Sequence, residues 1–316
     1  MAGDQYWYSK ILGLHCDGTN GSTTFTDVKG KTVTVVGNTQ ISTAQYPSLT
    51  GKSSSAIFDG SGDALTLANS TDFTFSGDFA IRCRVRFSGG LGSNITLYND
   101  EGASGYGCLF QKNASDKIAF TYMPDNAADK TNGGNLVSIA GATSVTTGVW
   151  YTFEVSRSGT SCKVFLDGAE DGAGTISSGV GVFNPGGYKA IGGRHYVANQ
   201  YFNGYLSEIE VYKGTPLNTA TYTPSSDPFP DTYVRISGTT KDTNGSFVSR
   251  LVRVYRQDTG AFVGEQLSNG TTGAYEIEAA NTGATVTKHF AVMHVDDANP
   301  PTTTDNALIY DDITPA

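Results

Sequence analysis

From Asp78 to Phe87 the chain reads Asp-Phe-Ala-Ile-Arg-Cys-Arg-Val-Arg-Phe. Phe79, Ile81, Cys83, Val85 and Phe87 fall on one side of an extended backbone, and Ala80, Arg82, Arg84 and Arg86 on the other. That period of two predicts a strand with one dry face and one wet, cationic face. Such a strand belongs to an antiparallel sheet packed on one side only. Shorter runs of the same kind surround it: Ile11–Cys16, Thr32–Val36, Ser55–Phe58, Leu65–Leu67, Ile95–Tyr98, Cys108–Gln111 and Lys117–Tyr122. Val149–Ser156 and Cys162–Leu166 read as a hairpin joined by Arg157-Ser-Gly-Thr160, and Tyr205–Tyr212 as a last strand. The Gly/Asn/Asp-rich stretch from Pro124 to Gly134 reads as a long surface loop. No helix-period segment of useful length appears, so the strands predict an all-β sandwich or barrel.

The pattern changes at Gly214–Asp231, which carries Pro216, Pro224, Pro228 and Pro230. Proline fixes φ and removes backbone donors, so this segment is an extended linker or an arm laid across the surface. Strands resume at Tyr233–Gly238, Arg250–Arg256, Phe262–Gln266, Ala274–Ile277 and His289–Val295. The expected organisation is a domain over 1–213, a proline-rich linker over 214–232 and a small β-sandwich over 233–316.

Composition agrees with this reading. The chain has 39 glycines, 17 tyrosines and 16 phenylalanines among 316 residues, which suits many tight turns between pleated strands. A net charge of −9 gives no diffuse attraction for phosphate backbones, so nucleic acid is not an expected partner. No apolar stretch approaches the roughly 20 residues of a membrane helix, and Met1–Lys10 has no basic head followed by an apolar run, so neither membrane insertion nor a signal peptide is expected. Cys16, Cys83, Cys108 and Cys162 lie far apart with no metal spacing. They read as buried free thiols that suit folding in a reducing cytosol.

The order of several motifs resembles the laminin-G-like, concanavalin A-like jelly-roll domains. Leu14-His-Cys-Asp-Gly18, Thr23-Thr-Phe-Thr-Asp27, Ala56-Ile-Phe-Asp-Gly60 with Gly62-Asp-Ala-Leu65, and Gly77-Asp-Phe-Ala-Ile81 come first. Trp150-Tyr-Thr-Phe153, Phe165-Leu-Asp-Gly168 and Phe202–Gly214 complete the set. Asp4-Gln-Tyr-Trp-Tyr8 and the Pro224–Pro230 exit resemble the variant carried by tailed-bacteriophage virion proteins. Ile236–Thr239, Arg250–Arg256, Thr259-Gly260 and Asn306–Tyr310 with Thr314-Pro315 resemble carboxypeptidase-regulatory-like, Ig-like modules of phage structural proteins. The resemblance implies a non-enzymatic virion protein, on the tail or a fibre or on the capsid exterior, assembled in the host cytoplasm. Its expected partners are other phage structural proteins, further copies of itself (trimers by default) and a host-surface glycan. An exported bacterial lectin or adhesin is the alternative, and a glycoside hydrolase a third.

Each candidate site has a plainer reading beside it. Glu208 and Glu210 share a strand and could flank a bond, as hydrolysis by two carboxyl groups requires. However, Tyr212 stands where a third acid would fall, and a solvated strand face accounts for the pair. Asp17 and Asp27 lie in Gly-rich turns and are the candidates for the single calcium that laminin-G-like domains often carry, although aspartate also caps such turns. Arg194, His195 and Tyr196 are candidate sugar contacts in a loop, the plainer reading being a loop that hydrogen-bonds its own backbone. The stripe Arg82, Arg84 and Arg86 either docks an acidic partner or pairs across strands within its sheet. Tyr6, Trp7 and Tyr8, three consecutive aromatics costly to leave in water, either close one end of their own sandwich or are candidates for an assembly contact with a neighbouring subunit.

Overall fold

The structure, a computed structural model, describes residues 6–7, 9–75, 77–100, 107–123, 137–176, 188–194, 200–230, 233–242, 244–256, 262–280, 289–293 and 308–313. It divides into two compact units, Ser9–Phe229 and a second formed by Met1–Tyr8 with Pro230–Ala316. The division falls between Phe229 and Pro230, not at 213, because the proline-bearing segment up to Phe229 is hydrogen-bonded to the first unit. Of the two readings open for that segment, the structure has the arm and not the linker.

The first unit holds β1 (Lys10–Leu14), β2 (Val33–Val36), β3 (Gln40–Ser42), β4 (Ser55–Asp59), β5 (Ala64–Leu67), β6 (Phe79–Phe87), β7 (Ile95–Asn99) and β8 (Gly107–Lys112). It continues with β9 (Lys117–Met123), β10 (Val137–Ser144), β11 (Trp150–Ser158), β12 (Ser161–Leu166), β13 (Ala169–Thr175), β14 (Lys189–Ile191) and β15 (Asn203–Lys213). Among the described residues these form two antiparallel sheets. One runs β13-β12-β11-β6-β15-β4-β3, with β1 also on β15; the other runs β10-β9-β8-β7-β14-β5-β2. The expected all-β sandwich is what the chain forms.

The sheets face each other across one core, because every strand with alternating character turns its apolar side inward. Phe79, Ile81, Cys83, Val85 and Phe87 of β6 are all buried there, against Phe110 and Phe120 from the facing sheet and Phe153 from the neighbouring strand. The β11–β12 hairpin closes where Ser158 faces Ser161, with Gly159 at the bend. Each buried phenylalanine is worth roughly 1.5–3 kcal/mol relative to exposure, so this double layer supplies the unit's stability. Pro124–Gly134 lies outside the described residues.

In the second unit β16 (Tyr233–Thr239) pairs with β19 (Ala274–Ala280), while β17 (Leu251–Arg256), β18 (Phe262–Leu267), β20 (His289–Met293) and β21 (Leu308–Ile313) form the order β18-β17-β20-β21. Ile236, Val252, Val254 and Ile277 make its small core. Tyr6 is half-buried and Trp7 buried. Tyr8 lies outside the described residues.

All four cysteines are buried and none is in a disulfide. Burial pushes the Cys16 and Cys162 thiols up to about 12, against the opposing pull of Lys52 and Arg157 respectively, and raises Cys83 further. A thiolate is the reactive form, so Cys16, Cys83 and Cys162 are shielded both by burial and by their raised pKa. A thiol-specific chromogenic reagent at pH 8 is expected to label none of the four in the folded protein and all four in denaturant. Rapid labelling of the native protein would contradict this packing.

Candidate functional site

The polar side of β6 places its arginines at the centre of the first sheet's outer face. Register fixes their neighbours. Arg82 lies between Glu210 of β15 and Glu154 of β11, Arg84 between Ser207 and Thr152, and Arg86 between Tyr205 and Trp150. The face therefore carries three cross-strand rows, each with an arginine in the middle.

The first row is a closed ionic set. Arg82 Nη2 and Nε reach Glu210 Oε2 at 2.5 and 2.8 Å, and Arg82 Nη1 lies 3.8 Å from Glu154 Oε2. Lys10 Nζ is 3.1 Å from Glu210 Oε1, and the Tyr212 hydroxyl donates to the same oxygen. Both glutamates are almost fully buried. Burial alone would push the Glu210 carboxyl up, but the Arg82 and Lys10 charges and the Tyr212 hydroxyl outweigh it and hold the group at about 2. For Glu154 burial wins: its carboxyl is raised, and Arg82, Tyr222, Asn218 and Ser156 only partly counter the desolvation.

The arm 214–229 covers this row. Asn218 Nδ2 donates to both Glu154 oxygens at 3.0 Å and the Tyr222 hydroxyl donates to Oε2 at 2.7 Å, while the Leu217 and Asn218 amides donate to Ser156 Oγ. Tyr222 also packs edge-on against Phe165. Its amide donates to the Gly168 carbonyl at 2.9 Å, and a Cβ on Gly168 would stand 2.0 Å from the Tyr222 oxygen, so only glycine lets the arm come this close. Further along, Arg84 Nη2 donates to the Ser225 carbonyl at 2.6 Å and Arg84 Nη1 to Thr152 Oγ1. The expectation of a wet cationic face is thus corrected: the arm covers its first row and reaches its second.

Glu208 leaves the alternation. A register shift between Ser207 and Glu210 inserts one residue into β15, and Glu208 has φ of +51°. Its carboxylate turns to Lys52 Nζ (2.6 Å), His15 Nδ1 (3.1 Å) and the Phe229 amide (2.8 Å). The His15 ring stacks on Phe229 at 3.9 Å between centres. Glu208 and Glu210 are therefore neither a solvated face nor an open pair.

Asp17 lies in the same cluster, 2.8 Å from Lys52 Nζ. The Lys52 ammonium, buried and also bonded to the His15 carbonyl, occupies the point on which the oxygens of Asp17 and Glu208 converge. Asp27 accepts from the Gly13 and Lys31 amides at 2.7 and 2.8 Å, a turn-capping role. Among the described residues no group of three or more His, Cys, Asp or Glu side chains could hold a metal ion. Arg194 is half-buried, and His195 and Tyr196 lie outside the described residues.

The third row differs from the first two. Tyr205, Arg86 and Trp150 are half-buried. Arg86 donates through Nε to the Gly148 carbonyl at 3.2 Å, and its guanidinium lies 5.8 Å from the Tyr205 ring centre. The Trp150 indole N–H is buried without an acceptor. Among the described residues no acid pairs with Arg86, and the Tyr205 hydroxyl and the neighbouring Asn203 amide make no hydrogen bond.

The Laminin_G_3 profile, of the concanavalin A-like lectin/glucanases superfamily, matches residues 59–221, just over half of the chain. The chain belongs to that superfamily. No curated protein matches its sequence. Among solved structures it is similar to domain 4 of AbnA, an extracellular GH43 arabinanase from Geobacillus stearothermophilus in complex with arabinotriose. That match has 14% identity, covers 66% of this chain and 95% of the other, and has a TM-score of 0.41. The botulinum neurotoxin serotype D binding domain is similar at 12% identity over 96% of this chain and 70% of its own, with a TM-score of 0.44. Trypanosoma rangeli sialidase in complex with sialic acid is similar at 13% identity over 67% of this chain and 31% of its own, with a TM-score of 0.47. Similarity at these levels says nothing of ligand or activity.

The Glu210 shift makes a pH prediction. Its folded carboxyl titrates near 2 against 4.5 for the ordinary group, so the stability it contributes is complete above pH 4.5 and is lost as pH falls towards 2. The loss is about 3 kcal/mol. Glu154, raised by burial, acts in the opposite sense and becomes less unfavourable in acid. Urea midpoints measured from pH 6 to pH 2 are expected to fall mainly below 4.5. Glu210→Gln is expected to be less stable at pH 7 and to show a shallower acid loss. An unchanged acid dependence in that variant would contradict the assignment.

Proposed function

We propose that this chain is a non-enzymatic, carbohydrate-binding structural protein exposed on a bacteriophage particle, associated with the tail or a fibre or placed on the capsid exterior. It works as a homo-oligomer among other phage structural proteins, touches a host-surface glycan through the jelly roll, and needs no cofactor. One observation carries the non-enzymatic part. Glu154, Glu208 and Glu210, the glutamates at the centre of the outer face, are committed to internal ion pairs and hydrogen bonds. Glycosidic hydrolysis needs two carboxyl groups flanking a bond, one able to give a proton and the other able to attack or to activate water. Here Arg82 sits between Glu154 and Glu210, the arm closes over Glu154, and Glu208 is held by Lys52, His15 and the Phe229 amide.

Membership of a superfamily that includes lectins supports carbohydrate binding. The phage placement is supported by the resemblance of Asp4–Tyr8, of Pro224–Pro230 and of the C-terminal region to phage structural proteins. Four buried cysteines, none of them in a disulfide, are compatible with assembly in the host cytoplasm. On this reading the second unit is the Ig-like module that, with Tyr6, Trp7 and Tyr8, serves attachment to the particle.

Two measurements test the proposal. Mass spectrometry of purified particles is expected to find the chain in fixed copy number, and its absence from particles would favour a free lectin. Incubation of the purified protein with the oligosaccharides it retains is expected to release no sugar. Release of sugar would overturn the non-enzymatic reading, and its loss in a Glu154→Gln variant would place catalysis on this face.

A further inference from the structure

We propose that the row Tyr205–Arg86–Trp150, with Asn203 beside it, is a binding platform for an acidic oligosaccharide, one whose sugar carries a carboxylate. The proposal rests on the carbohydrate-binding reading above and names its site and ligand class. That site lies on the sheet face, apart from the loop residues Arg194, His195 and Tyr196.

The outer face leaves one of its three rows unfinished. Its polar groups were set by one alternating strand, yet the rows end differently. Arg82 has two glutamates, and Arg84 has the Thr152 hydroxyl and the Ser225 carbonyl. Arg86 has one carbonyl on Nε and, among the described residues, no acid. It is a half-buried guanidinium whose planar fork still offers its Nη donors, the group best suited to hold a carboxylate through two parallel hydrogen bonds.

The flanks suit a sugar. Tyr205 and Trp150 stand on the strands either side of Arg86, so their positions are about 10 Å apart across three strands. Aromatic rings at that separation can each take the apolar face of one pyranose ring, while their polar tips address its hydroxyls. The Tyr205 hydroxyl and the Asn203 amide make no hydrogen bond among the described residues, and the Trp150 indole N–H is a buried donor lacking an acceptor. The unbonded Tyr205 hydroxyl and Asn203 amide are the groups a hydroxyl-rich ligand can address from outside. The approach is open on one flank for a steric reason. Gly60 and Gly89 border Asn203, where a Cβ would stand 3.0 Å from its Cβ and 3.1 Å from its amide nitrogen. These turns bring backbone, not side chains, to the rim.

The full-length chain should be tested against immobilised uronate-containing oligosaccharides, sialylated oligosaccharides and the corresponding neutral backbones. The two acidic arms separate the possible sources of the carboxylate. An acidic series is expected to be retained over its neutral counterpart, more weakly as salt rises. Arg86→Gln is expected to lower that affinity about tenfold or more. Arg86→Lys should recover only part of it, and Tyr205→Ala should weaken acidic and neutral binding alike. Trp fluorescence gives a second readout that needs no change at Arg86: the acidic ligand should perturb it equally in a Trp7→Phe variant, which retains Trp150 alone. Equal affinity for neutral backbones would overturn the acidic class. Glycan binding that is indifferent to Arg86→Gln and Tyr205→Ala, with no perturbation of Trp150, would overturn the site while leaving carbohydrate binding intact. Retention of no glycan at all would overturn both.

Discussion

The first unit is organised around one guanidinium. Arg82 lies in the middle of the central strand of its sheet, between two glutamates that register alone brings to its sides. Three charges in a row on a dry face are expensive, since each loses its water. They are tolerated because the glutamate oxygens find further partners: Lys10 and Tyr212 on Glu210, and Asn218, Tyr222 and Ser156 on Glu154. Two of those five partners, Asn218 and Tyr222, come from the segment that follows β15. The arm therefore completes the jelly roll by satisfying a charge set that the sheets cannot satisfy themselves.

That constraint explains the uneven outer face. The arm is fixed at Glu154, passes over Gly168 where only glycine admits it, reaches the Arg84 row at Ser225, and ends with Phe229 beside Lys10, His15 and Glu208. Rows held by the arm have their polar groups paired. The row of Arg86 keeps unused donors between two aromatic rings. The carboxylates thus lie at the sealed end of the face and the aromatic groups at the other.

Much of the fold was legible in the sequence, for a physical reason. A strand dry on one side must alternate, and β6 and β11 do so over enough residues to be read. Other strands carry no such signal. β3 and β14 are only three residues long, and β14 contains a buried lysine, Lys189. β13 reads Ala-Glu-Asp-Gly-Ala-Gly-Thr; its glycines admit side chains of the facing sheet, and a Cβ on Gly174 would stand 2.6 Å from Val137 Cγ2. The site was less legible. Arg82 pairing across strands was among the readings the residues allowed, but Glu154 as its second partner depends on which strand lies beside β6. Glu208 was read as an alternating residue because a one-residue bulge leaves no mark in composition. The role of Lys52 with Asp17, 35 positions away in sequence, follows only from folding. Proline content marked the arm as extended without saying what it touches.

Native-state hydrogen exchange of the full-length chain, resolved to single amides over residues 214–229, tests the central claim most directly. If the arm completes the jelly roll, the amides of Leu217, Asn218, Tyr222 and Phe229, which donate to Ser156, Gly168 and Glu208, will exchange with the slowness of the sheet they join. If those amides exchange at the rate of an unstructured peptide while β6 and β11 remain protected, the arm is a linker and the account is wrong.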